Sequence, residues 1–146
     1  MSAIQSEPIA SPRDTLGIVL RVVIVVLTLA TAYIHTTLGG MMFMANAVGY
    51  VVLAVLMVVP IDIVSRYRWV VRAMLLGFTL VTILGWIVMG GRFDLAYLTK
   101  AIEVGLIAAL LIEMWRYDGG PINVLRKGIA LAATIVRMPF ARRGDA

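Results

Sequence analysis

The sequence predicts an all-α integral membrane protein, a four-transmembrane-helix bundle with both termini cytoplasmic and a C-terminal amphipathic helix in the membrane interface. Three observations predict it. Of 146 residues, 62% are hydrophobic and 14% charged, where ordinary soluble domains carry about 25% charged residues. The mean hydropathy is +0.98. The apolar residues gather into four runs, each close to the ~20 residues that cross a ~30 Å hydrocarbon core, and the basic residues cluster at one set of run ends.

Residues 1–15 hold Ser2, Ser6, Pro8, Ser11, Pro12, Arg13 and Asp14 without a helical period, and read as a flexible cytoplasmic tail. The first span is predicted over 16–34. Arg21 lies about a turn inside it, where its long stem can return the guanidinium to the headgroups. The run from Val22 to Leu29 followed by Ala30-Thr31-Ala32 also has the form of a signal-peptidase site. Cleavage there would leave three spans, but Glu7, Asp14 and the interrupting Arg21 argue for an uncleaved first span.

Gly39 and Gly40 break the chain before a second span over 41–59, which Pro60 and Asp62 end. Arg66, Arg68 and Arg72 surround Tyr67 and Trp69, a cationic loop with aromatic anchors at headgroup depth. The third span is predicted over 70–89, up to Gly90 and Gly91. The fourth covers 93–115 and closes on Trp115, Arg116 and Tyr117.

Gly119, Gly120 and Pro121 set off a basic tail, 118–146. From Ile122 to Arg137, the polar residues Asn123, Arg126, Lys127, Thr134 and Arg137 recur at spacings of three, four and seven. This is the pattern of a helix lying on the membrane, with Arg126, Lys127, Arg137, Arg142 and Arg143 drawn to anionic lipid; packing on a partner protein is the alternative. Eleven of the thirteen basic residues fall on the side of the termini, and only Arg92 and Lys100 on the other. That asymmetry places both termini in the cytoplasm, in a bacterial-type plasma membrane.

Composition narrows function mainly by exclusion. The net charge of +5 sits at the ends of apolar runs, which fits topology better than nucleic acid. With no cysteine there is no thiolate or iron–sulfur chemistry, and with one histidine no bis-histidine haem within a single chain. No phosphate loop, nucleophile–base set or metal-ligand spacing occurs. An enzyme is therefore not expected, nor a cofactor or metal.

Ionisable residues inside a span are functional candidates by default, since a charge at the bilayer centre costs at least ~2.5–3.5 kcal/mol. Counting from Phe93 at ~1.5 Å per residue puts Glu103 roughly 15 Å into the core and Lys100 roughly 10 Å in, three residues apart on one face. The other spans carry polar stripes: Thr28, Thr31 and His35; Asn46 and Tyr50; Thr79, Thr82 and Trp86. Facing inward, they would meet Lys100 and Glu103, with Tyr97 nearby, in a polar cavity open to the outside. The competing reading is purely structural, because interhelical hydrogen bonds of ~0.6 kcal/mol each also fix which helices pack together. His35 could ligate a pigment or metal, but interfacial placement is the plainer expectation; Met41, Met42 and Met44 read as lipid-facing rather than as a copper site.

Small residues mark two packing faces: Ala101, Gly105 and Ala109 on the fourth span, and Ala45 with Gly49 on the second. They leave open whether the neighbour is another span or another copy. The leading expectation is a small non-enzymatic accessory or assembly subunit, or a homo-oligomer, whose partners are the lipid bilayer and other membrane subunits or itself. The alternative is a transporter or sensor for a small solute or proton, using the Glu103–Lys100 pair.

Overall fold

The chain folds, in a computed structural model that describes residues 14–141 and their side chains through residue 136, into six helices. These are α1 (Thr15–Thr37), α2 (Met41–Val58), α3 (Asp62–Arg66), α4 (Arg68–Met89), α5 (Asp94–Asp118) and α6 (Pro121–Ala141). Four of them, α1, α2, α4 and α5, are long and apolar enough to cross a membrane. They overlap the four predicted spans, with ends displaced by up to three residues.

The displacements have local causes. Asp14 belongs to the first helix rather than to a loose tail, because its carboxylate caps α1 by accepting the Gly17 N–H at 3.0 Å. Asp62 does not simply end the second span. It opens the short helix α3, where an acidic residue in the first turn offsets the positive helix end. At the end of α5, Gly119 and Gly120 both hold positive φ (76° and 101°), and the Gly120 N–H returns to the Met114 carbonyl at 3.0 Å. Residues with a Cβ rarely take that backbone, so the glycine pair sets where α5 stops and α6 leaves.

In cross-section α1, α2, α4 and α5 form a ring in that order, with α1 facing α4 and α2 facing α5 across the diagonals. The turns at 38–40 and 90–93 lie at one end, and the start of α1 and the end of α5 at the other. The core is apolar, with Ile24, Tyr50, Met57, Leu75, Leu106 and Leu110 wholly buried. The outer faces are also apolar: Val19, Val22 and Val26 on α1, Val48, Val51 and Val55 on α2, and Leu80, Leu84 and Val88 on α4 are exposed. An apolar exterior around an apolar core is stable in hydrocarbon, where the helical backbone satisfies its own hydrogen bonds.

Part of each small-residue face packs within the chain. A Cβ at Gly49 would lie 2.7 Å from the Phe78 ring, so the glycine is what lets α2 and α4 approach. Gly105 faces Leu27 of α1, and Ala109 is buried. Ala101 and Ala45 instead point outward.

Helix α6 begins at Pro121 and touches α4 and α5, with Val124 buried. Ile122, Leu125, Ile129, Ile135 and Val136 are exposed on it. Arg142, Arg143 and the side chain of Arg137 lie outside the described residues.

Candidate intramembrane binding site

Glu103 is completely buried on α5, although a carboxylate is the costliest kind of group to bury alone. It is not alone. Lys100, one turn earlier on the same helix, donates from Nζ to Glu103 Oε2 at 2.5 Å, and Tyr50 of α2 donates from its hydroxyl to Oε1 at 3.2 Å. His35 of α1 brings Nε2 to 4.0 Å from the same Oε1. Three spans thus converge on one carboxylate.

The geometry fixes most of the hydrogens. His35 Nδ1 lies 2.8 Å from the Thr31 carbonyl, which can only accept, so Nδ1 carries a hydrogen. A neutral His35 therefore turns a bare Nε2 toward Glu103, and a protonated one turns an N–H. Thr82 of α4 donates its hydroxyl hydrogen to the Thr79 carbonyl at 2.8 Å. The single phenolic hydrogen of Tyr50 then faces two acceptors, Glu103 Oε1 and Thr82 Oγ1, the latter at 2.9 Å. Protonating Glu103 would release that hydrogen toward Thr82, so the charge on α5 is linked through Tyr50 to α4. The Tyr50 ring is held by an edge contact with Phe78 at 4.9 Å and a tilted contact with His35 at 5.6 Å.

Above this cluster, toward the turns at 38–40 and 90–93, lies a cavity of about 370 Å³. His35, Asn46, Thr82, Thr99 and Lys100 supply its polar lining, and Phe43, Trp86 and Phe93 are among its aromatic walls. Arg92 lies over the Trp86 ring at 4.4 Å, and the Trp86 indole N–H donates to the Gly91 carbonyl at 3.0 Å, which fixes the rim. Apolar walls with a few convergent polar groups are the usual makeup of a small-molecule site. Among the described residues no cluster of three or more metal-ligating side chains occurs.

Of the residues singled out in the sequence, Glu103, Lys100, His35, Tyr50 and Thr82 come together, and Asn46 lines the cavity beside them. Tyr97 does not join them. It is 52% exposed and stacks edge-on against Trp86 at 5.3 Å, because its position on α5 turns it away from the face carrying Glu103.

A second charged cluster at the other end of the bundle was not anticipated. Arg72, which the sequence places in a cationic loop at headgroup depth, is 5% exposed and grips Asp118 with Nε and Nη2 at 2.8 and 2.9 Å, while Nη1 reaches Glu113 at 3.3 Å. Glu113 is wholly buried, and Arg21 comes to 3.7 Å from it instead of simply reaching for the surface. The signal available in the sequence was an acidic pair near the end of one span opposite an arginine a turn inside its antiparallel neighbour. Nearby, Asp14 accepts from the Tyr117 hydroxyl and pairs with Arg116 at 3.0 Å, joining the start of α1 to the end of α5.

The Tyr117 hydroxyl, then the Gly17 amide and Arg116, hold the Asp14 carboxyl below the usual carboxylate range. A lowered native pKa stabilises above the unfolded value of about 3.9 and ceases to do so as pH falls through the native value. The thermal midpoint should therefore carry an Asp14 contribution at neutral pH that fades only in strong acid. Asp14→Asn should remove that part of the pH dependence, which melting curves between neutral and acid pH would check.

The fold and the site together define, over the described residues, an all-helical protein with four helices long and apolar enough to cross a membrane and a buried ionisable cluster under a cavity at one end. Comparison with protein-family profiles, with curated protein sequences and with solved structures gives no match to this chain.

Proposed function

We propose that this is a non-enzymatic membrane protein that binds a small solute from one side of the bilayer and couples the binding to protonation of Glu103. With the termini in the cytoplasm, as the basic residues argue, the cavity opens to the outside. The observation that carries the reading is Glu103 itself, wholly buried directly behind the cavity and touched by Lys100, Tyr50 and His35 from three helices. Behind the cavity, the groups that can take up a proton are His35 Nε2 and the Glu103 carboxylate. On Glu103 Oε1, that proton would turn the Tyr50 hydroxyl toward Thr82. Below the cluster, Ile24, Met57, Leu75, Leu106 and Leu110 close the bundle, which favours a binding or sensing role over a conduit.

The test is infrared titration of the reconstituted protein, read in the carboxyl stretch. Glu103→Gln should delete one of the carboxyl bands that appear on acidification, a band that Glu113→Gln leaves in place. An unchanged band in Glu103→Gln would refute the assignment.

A second reading, an accessory or assembly subunit, draws support from α6, whose Ile122, Leu125, Ile129, Ile135 and Val136 remain exposed. Recovery from native membranes in a stoichiometric complex would favour it.

A further inference from the structure

Arg21 lies six residues past the start of α1, about 9 Å into the membrane at ~1.5 Å per residue. Its guanidinium carries five N–H donors and accepts nothing. Among the described residues it makes no hydrogen bond: Nε is buried without a partner, and the carboxylate it approaches, Glu113, stands with Oε1 at 3.7 Å. Glu113 Oε1 already accepts from Arg72, which Asp118 also holds, and Glu113 Oε2 makes no hydrogen bond. Arg68 lies within electrostatic range of Arg21, Arg72 and Glu113, yet hydrogen-bonds only the neutral Val59 carbonyl and Ser65 hydroxyl. Three guanidinium groups thus meet two carboxylates, and the cluster keeps an excess positive charge.

Beside Arg21 runs a groove of about 200 Å³ between α1 and α2, lined otherwise by Ile18, Val22, Val25, Val26 and Val58. All five are aliphatic, and Ile18, Val22, Val26 and Val58 are exposed on the outer face of the bundle. The groove begins near the headgroup end, since Val58 is the last residue of α2 and Ile18 lies in the first turn of α1.

We infer that this groove and Arg21 form a site for one phospholipid, the acyl chain lying along the valines and the phosphodiester accepting from Arg21. The charge excess calls for an anion, the lone guanidinium for an acceptor with paired oxygens, and the aliphatic trough for a chain attached to it. A guanidinium–phosphate pair forms two parallel charge-assisted bonds, which an ammonium cannot reproduce. Free inorganic phosphate would satisfy Arg21 but leave the trough unused, so the lipid is the occupant that uses both halves.

Native mass spectrometry of the full chain, released from nanodiscs of phosphatidylglycerol and diacylglycerol, tests this. One phosphatidylglycerol should stay bound per chain and diacylglycerol should not. Arg21→Gln should reduce retention by about tenfold, roughly 1.4 kcal/mol, with Arg21→Lys intermediate. Val22→Trp, which fills the trough and leaves every charge in place, should lower retention similarly and serves if Arg21→Gln fails to fold. Equal retention in Val22→Trp and wild type, or displacement of the lipid by millimolar inorganic phosphate, would overturn the proposal.

Discussion

Replacing Arg72 with methionine is expected to destabilise the protein by about 3–5 kcal/mol, the usual cost of removing one partner from a buried charge network. Arg72 is held on α4 by Asp118 through two bonds and by Glu113 through a third, with all three side chains almost wholly buried. Methionine fills much of the same space, so the loss is one of charge rather than volume. It leaves two carboxylates five residues apart on α5, with Arg21 at 3.7 Å from Glu113 and Arg68 within electrostatic range of it, neither hydrogen-bonded to it. The carboxylates can escape the penalty by taking up protons, so the destabilisation should shrink as pH falls. Arg72→Lys keeps the charge but loses the planar fork and should lie between. Denaturant titration in mild detergent at neutral and acid pH measures both effects, and a pH-independent loss would mean that the arginine acts through packing.

At the opposite end, Lys100→Met should be more damaging than Glu103→Gln. The lysine side chain is 13% exposed and lines the cavity, so without Glu103 its ammonium can turn toward that space. Glu103 has no such exit: with Lys100 gone it keeps only the Tyr50 hydroxyl, with His35 at 4.0 Å. We expect a loss of about 3 kcal/mol for Lys100→Met and much less for Glu103→Gln. The double variant should recover most of the loss, because it leaves no charge to bury. A double-mutant cycle on thermal or denaturant stability reads the coupling directly. Additive single losses would show that the two side chains act separately.

The spans and the outer cluster were legible because each rests on a local rule. Apolar run length gives the spans, and i, i+3 spacing gives the Lys100–Glu103 pair. His35, Tyr50 and Thr82 could be read as inward-facing because polar groups inside a span seek one another. Tyr97 misled for the same reason, since a tyrosine near a headgroup boundary is as content against Trp86 as in a cavity. The inner cluster was hidden because its members belong to different rules. Arg21 and Arg72 sit where snorkelling arginines sit, and Glu113 and Asp118 sit next to the Trp115–Tyr117 boundary. Only the antiparallel register of α1, α4 and α5 brings them together. The role of Gly105 within the chain likewise depends on which helix α1 lies against, which spacing alone does not specify.

The depth of Glu103 makes its proton an electrical matter as well as a chemical one. Nine residues separate it from the start of α5 at Asp94, about 13 Å of a ~30 Å core. A proton reaching it from the cavity side crosses at most nearly half of the insulating layer, and Leu75, Leu106, Leu110 and Met57 pack the bundle below it. A full crossing changes the energy of one charge by about 2.3 kcal/mol per 100 mV, so occupancy of this site should vary by roughly 1 kcal/mol over the same span of voltage. Acidity on one face and the potential across both would thus be read by a single carboxyl group, without any current passing through the protein.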